Sequence, residues 1–265
     1  MSYCEKTSVL EHRQAGPGYR FLVVKAPRLA ADLVPGQFVH VRVPALEASA
    51  LRRPFSVFDA EEDKVSILYK VVGRGTEALA KVAVGDELDV MGPMGTGFPL
   101  NSPGVPLLVG GGYGVAPLHF LAKRLVAKGD RPRPILFLGG RAKEDLLALD
   151  EFAAIKVEAR LATNDGSVGE KGFVTGPLDD ALAKFKAKGE AFSLYTCGPD
   201  GLLKAVVDRA LAAGMPGWIS MDRHMICGVG ACFACIQRIK DSTGREFNAR
   251  CCVDGPVFDA RILVF

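Results

Sequence analysis

No stretch of the 265 residues approaches the roughly 18 or more uninterrupted apolar positions of a membrane span. Charge of one sign is also lacking: 33 basic against 30 acidic residues leave a net +3, too weak a field to select nucleic acid or anionic lipid. Residues 1–14 carry charges throughout and contain no apolar core of the secretory kind, which gives the expectation of a cytoplasmic protein. Internal repeats and low-complexity tracts are absent, and no nucleophile and base stand in a hydrolytic arrangement. His12, His40, His119 and His224 share no metal or catalytic spacing and read as structural. With 49% hydrophobic, 24% charged and 8% aromatic residues, the composition is that of a globular chain with enough length for one to three domains.

What the chain does have is seven cysteines, five of them at positions 227, 232, 235, 251 and 252, with Cys4 and Cys197 standing apart. An odd number with tight clustering argues against a disulfide framework and for a metal or redox centre. Cys227-Gly-Val-Gly-Ala-Cys232-Phe-Ala-Cys235 has the C-x4-C-x2-C spacing of plant-type 2Fe-2S centres, whose fourth thiolate comes from further along. Gly228 and Gly230 would let the loop wind around a cluster with its amides directed at the sulfurs. A zinc knuckle is the alternative, although its thiolates usually come as two separated pairs. The residues alone leave Cys251 and Cys252 open as fourth ligand; in an extended segment their side chains would face opposite ways, one ligating and one packed.

Upstream of residue 101 short apolar or alternating runs at 21–24, 37–43, 65–72 and 87–91 are separated by turn formers, which predicts a small antiparallel β unit of sandwich or barrel type. One helix is expected inside it near residues 75–81, with Thr76 as N-cap. After a breaker-rich segment at 92–104 the period changes. Strands near 107–109, 134–138, 157–161, 172–174 and 192–195 alternate with helices ending near 128 or spanning 144–152, 178–188 and 201–213, predicting a parallel sheet covered on both faces. Its ligand crevice should lie at the carboxyl ends of the strands. From residue 220 these patterns fade. The expected organisation is residues 1–101 as a barrel, 102–219 as an α/β domain and 220–265 as a small cysteine domain.

Arg53-Pro54-Phe55-Ser56 joins a cation, an aromatic and a hydroxyl, which together suit a flavin: phosphate pairing, ring packing and a hydrogen bond to a ring nitrogen. Leu68-Tyr69-Lys70 followed by Gly73-Arg-Gly75-Thr76 adds a strand and a helix N-terminus, where free amides suit a pyrophosphate. In the second domain Gly110-Gly111-Gly112-Tyr-Gly114-Val-Ala-Pro117 lies between a strand and a helix, where nucleotide phosphates are held. It departs from G-x-G-x-x-G, which disfavours an ordinary Rossmann dehydrogenase. Cys197-Gly198-Pro199 closes the last predicted strand, and a thiol there is placed to touch a nicotinamide ring. Asp165 is a candidate for ribose hydroxyls and so for NAD, while Arg141 keeps a 2′-phosphate open.

Taken in order, these motifs resemble the ferredoxin-NADP reductase superfamily, and more closely the electron-transfer subunits of type B dihydroorotate dehydrogenase. The resemblance covers nearly the whole chain, and its most specific part is the cysteine loop with Cys252-Val-Asp-Gly-Pro-Val-Phe258. It implies an FAD-binding barrel, a nicotinamide-binding α/β domain and a 2Fe-2S domain. It also implies Cys252 as the fourth ligand beside Cys227, Cys232 and Cys235, and contacts to FAD from residues 53–56, 68–70, 75 and 76. The implied partner is an FMN-containing catalytic subunit in a heterotetramer of two plus two, with electrons passing through the cluster and FAD to NAD+ in pyrimidine biosynthesis. The wider superfamily often has Tyr where this chain has Phe55, so a hydroxyl contact is lost there. Small subunits of NADH-dependent ferredoxin:NADP oxidoreductases or of sulfhydrogenases form the alternative, and a zinc-stabilised binding module without redox activity a third.

Overall fold

The computed structural model describes residues 2–43 and 51–265. Six strands, β1 (Tyr3–Gly16), β2 (Tyr19–Lys25), β3 (Phe38–Arg42), β4 (Arg53–Glu61), β5 (Lys64–Lys70) and β6 (Glu87–Met94), close a barrel in the order β1-β2-β5-β4-β3-β6. Every pairing in it is antiparallel. β6 buries alternate residues, as a strand with one face on a core requires, and Leu88 and Val90 meet Leu22, Val39, Val57 and Ile67 inside. β1 is a strand that the apolar pattern does not announce, since its residues are largely polar and only Glu5, Thr7 and Val9 turn inward. The buried Glu5 carboxylate accepts hydrogen bonds from the Arg28 and Leu29 amides, satisfying the first turn of the short helix α1 (Pro27–Asp32). The helix α2 (Arg74–Leu79) starts one residue earlier than expected, after Gly73. Thr76 lies in its first turn and not at the N-cap; its hydroxyl accepts from the Val72 and Gly73 amides.

The second unit is a seven-stranded sheet in the order β10-β9-β8-β7-β11-β12-β15. Its strands are β7 (Val105–Gly111), β8 (Ile135–Gly140), β9 (Glu158–Thr163), β10 (Glu170–Lys171), β11 (Phe192–Cys197), β12 (Gly217–Ser220) and β15 (Val257–Asp259), and its larger helices α3 (Val115–Lys128), α5 (Thr175–Lys188) and α6 (Asp200–Ala213). Six strands are parallel, and β15 adds antiparallel to β12. All six residues of β11 are buried, which is why the central strand reads as a near-continuous run. The expected strand at 172–174 is instead the turn between β10 and α5. The single helix expected over 144–152 is a 3-10 turn at Lys143–Asp145 followed by α4 (Leu149–Ala154).

β8, β9 and β10 run outward on one side of β7, and the chain then returns to β11 on the other side. The order therefore reverses between β7 and β11, where open α/β sheets hold ligands. The barrel docks on this sheet through α3: the His119 ring stacks on Phe58 at 4.1 Å between centroids, and Lys123 bonds Asp59 at 2.6 Å. Beyond residue 220 the cysteine loop leads into a hairpin, β13 (Ile236–Lys240) and β14 (Glu246–Arg250). The chain then returns to the sheet as β15, while the Thr96 amide of the barrel donates to Gly255 O.

Candidate functional site

The reversal point opens a cavity of about 820 Å³ at the carboxyl ends of β7, β8 and β11. Gly110, Gly111, Gly112 and Gly114 line one side, and Cys197, Gly198 and Pro199 line the other, so two motifs distant in sequence face each other. They also interlock: a Cβ on Gly114 would run into the Cys197 carbonyl and the Gly198 backbone, and one on Gly111 would meet Pro199 Cδ at 3.0 Å. A 3-10 turn at Gly112–Gly114 leads directly into α3, so the N-terminal end of that helix, which suits an anion, opens on the cavity.

Sequence reasoning missed several lining residues, among them Tyr19, Asp145, Asp222 and Arg223, because they are single polar groups outside any motif. The Tyr19 hydroxyl donates to Asp145 Oδ1 at 2.9 Å and brings barrel and sheet together across the mouth. Arg141 also pairs with Asp145, at 2.9 Å. The Tyr113 hydroxyl donates to Asp222 Oδ2 at 2.8 Å, and the Arg223 guanidinium bonds Asp200 and Gln237. Asn164 lines the cavity, whereas the Asp165 carboxylate is engaged by the Ser167 amide and hydroxyl at 2.9 and 2.7 Å.

A narrow cleft continues from this cavity, sharing Cys197, Asp222 and Arg223 with it. Pro54, Phe55 and Ser56 of β4 form one wall, with Met225 and Pro256 opposite. Phe55 also packs on Tyr69, 5.4 Å between centroids. Arg53 donates to the carbonyls of Leu51 and Arg52 and lies over the start of α2, where a Cβ on Gly75 would strike its Nε. The structure thus gathers Arg53, Gly75 and Thr76 at one end of the cleft wall and residues 54–56 along it. Leu68 and Tyr69 turn into the interior, the Tyr69 hydroxyl reaching His12 Nε2 at 3.0 Å, and of residues 68–70 Lys70 reaches the larger cavity.

Cys197 lies where the two cavities meet. Burial pushes its thiol up to about 12, so it stands there as a neutral, polarizable group. It is expected to stay unmodified by iodoacetamide at pH 8.5 in the folded chain and to react on unfolding, which mass spectrometry of tryptic peptides reads directly.

The cysteine loop runs over the end of the cleft formed by Met225. Its thiols meet in pairs: Cys227 with Cys232, and Cys235 with Cys252. Burial pushes the Cys227 thiol up, but the amides of Val229 and Cys232, the Cys232 thiol and the Ala231 amide outweigh it and bring the group to about 7. Burial and then the Cys235 thiol hold Cys252 at about 12, against the Gly230 amide. Two thiol pairs with amides directed at sulfur fit a two-iron cluster, which Cys227, Cys232, Cys235 and Cys252 would hold. Gly228 and Gly230, with φ of +70° and +82°, permit this winding; a Cβ on Gly228 would meet His40 Cε1 at 2.6 Å. Residues 251–254 form a turn and not the extended segment considered above, with the Asp254 amide donating to Arg250 O. Cys251 is buried in the core below, its amide bonded to Cys235 O at 2.8 Å.

A closed barrel docked on a parallel sheet, with a glycine loop at the reversal point and a cleft between them, defines a flavoprotein reductase of the ferredoxin-NADP reductase type. Family models match in the same order: an oxidoreductase FAD-binding domain over residues 7–98, an oxidoreductase NAD-binding domain over 108–208, and the iron-sulfur cluster binding domain of dihydroorotate dehydrogenase B over 222–264. The chain is 41% identical over 261 residues to the dihydroorotate dehydrogenase B (NAD(+)) electron transfer subunit of Fusobacterium nucleatum, covering 96% of both chains. It is 38% identical over 259 residues to the subunit of the same name from Lysinibacillus sphaericus, again covering 96% of both. Among solved structures, a chain of the NADH-dependent reduced ferredoxin-NADP oxidoreductase superimposes with a TM-score of 0.82 at 31% identity, over 97% of this chain and 89% of that one. The chain belongs to the family of dihydroorotate dehydrogenase B electron transfer subunits.

Proposed function

We infer that this protein is the electron-transfer subunit of an NAD-linked dihydroorotate dehydrogenase and serves pyrimidine biosynthesis beside a catalytic subunit that carries FMN, in an assembly of two plus two. The observation that carries this reading is the paired thiol set Cys227, Cys232, Cys235 and Cys252 lying over a cleft walled by residues 54–56, in a chain whose relatives bear that name over their full length. When bound, the cluster passes single electrons and FAD exchanges one or two, so that hydride reaches NAD+. The chain's residues bind and orient. In this reading the Arg53 cation would pair with the flavin pyrophosphate and the Ser56 hydroxyl with the ring edge, while the glycine loop and the α3 N-terminus would take the nicotinamide nucleotide. Free thiols and a reduced cluster fit the cytoplasm. No described helix is long and apolar enough to cross a membrane.

The decisive experiment is NAD+ reduction by dihydroorotate on mixing this chain, with flavin and iron restored, with an FMN-containing dihydroorotate dehydrogenase catalytic subunit. Failure to couple, with a ferredoxin:NADP-type partner accepting the chain instead, would favour the second reading, which the TM-score of 0.82 supports on the side of the fold. Arg53→Ala is expected to weaken FAD retention about 10- to 150-fold, from the roughly 1.5–3 kcal/mol of a charge-assisted hydrogen bond. Flavin release on dilution measures it, and unchanged affinity would remove Arg53 from the site.

A further inference from the structure

His40 sits on β3 inside the wall that separates the flavin cleft from the cysteine loop. It is fully buried, and neither ring nitrogen has a hydrogen-bond partner. The orphaned nitrogens stand out because buried polar groups are otherwise satisfied in folded chains. Its Nδ1 edge faces the loop: a Cβ added to Gly228 would lie 2.6 Å from His40 Cε1 and 2.9 Å from Nδ1. The Phe38 ring lies 5.6 Å away between centroids, and Met94 Cε shares the loop-facing side, 2.7 Å from the same Gly228 position. On the barrel face His40 pairs in register with Pro54, which walls the cleft. The ring therefore stands between the residues assigned to flavin and those assigned to the cluster, and one of its edges needs an acceptor that the described residues do not provide.

Resting on the function inferred above, we propose that His40 is a positioning residue for the iron-sulfur centre, its Nδ1–H donating a hydrogen bond to a sulfur held by the cysteine loop. A neutral imidazole carries one N–H and one lone pair. Sulfide and thiolate sulfurs are acceptors, and the loop amides, being donors, cannot serve. A donor at a cluster sulfur stabilises the more negative, reduced cluster and raises its potential. No proton leaves the ring, and the cluster gains one electron as it is reduced.

The test uses the full chain with iron and FAD restored. His40→Leu removes the donor and His40→Asn keeps an N–H near the Nδ1 position. The expected result is a cluster midpoint, read by EPR-monitored titration, that moves negative in His40→Leu by about 59 mV, a tenfold change in the one-electron equilibrium, and returns toward the wild-type value in His40→Asn. Pulsed EPR on reduced wild-type chain labelled with 15N-histidine is expected to show a nitrogen coupling that is lost in His40→Asn. Wild-type potentials in both variants at full iron content would overturn the proposal. So would a shift confined to the flavin, or the absence of histidine coupling in the wild type, a measurement that holds even if His40→Leu does not fold. Iron analysis of the wild type separates this from the functional reading: a chain that binds no iron fails that reading, whereas a loaded cluster indifferent to His40 fails this proposal alone.

Discussion

Cys252→Ser is expected to abolish the 2Fe-2S signal and the bound iron, while Cys251→Ser keeps both. The two thiols are neighbours in sequence and both are buried, but they meet different partners. Cys252 meets Cys235 and the Gly230 amide at the mouth of the loop, so its loss leaves one thiol pair incomplete. Cys251 is fully buried with the core below the hairpin and contributes its backbone amide to Cys235 O. A serine there places a hydroxyl in apolar surroundings and costs about 1–3 kcal/mol of stability, which appears as a lowered Tm with the spectrum intact. Burial pushes both thiols up to about 12, so it is the contact with Cys235 and the Gly230 amide that sets Cys252 apart. Iron per chain and the EPR spectrum of the reduced protein decide the matter, and equal iron in the two variants would refute the assignment.

The second large effect is expected at Gly114. Its added Cβ would strike the Cys197 carbonyl and the Gly198 backbone, and backbone cannot swing aside as the end of a side chain can. Gly114→Ala must push the glycine loop away from β11 and widen the seam proposed to take the nucleotide phosphates and the nicotinamide ring. NADH-driven reduction of ferricyanide should fall about 5- to 150-fold, the range that goes with roughly 1–3 kcal/mol of overpacking. FAD retention should persist, because the proposed flavin contacts lie on β4 and α2. Concurrent loss of flavin would mean that the loop also supports the barrel.

Gly114 also illustrates which parts of the structure a sequence carries. By the dinucleotide fingerprint it stands at the wrong offset; in the fold it is required by close approach to β11, a contact between segments that pattern matching treats separately. The barrel and the sheet were legible because alternation and continuous apolar runs are local signals, as β6 and β11 illustrate. β1 was not legible: a strand paired on both sides can be largely polar when much of its outward face meets solvent. The hairpin β13–β14 escaped for the same reason, since β14 buries only Ala249. Cysteine spacing made the loop visible, yet the separate fates of Cys251 and Cys252 follow from a turn, and His40 looked inert because its significance lies in what surrounds it.

β15 is made from the last residues of the chain and completes the edge of a sheet whose other strands are formed by residue 220. During synthesis β12 therefore waits with an open edge until residues 257–259 leave the ribosome, and an uncovered edge is a template for wrong pairing. Cys252 emerges only shortly before that strand, so loading of iron and closure of the sheet belong to the same late moment. Until that segment docks, the sheet presents an unsealed edge, so a change that delays its docking is expected to favour insoluble protein.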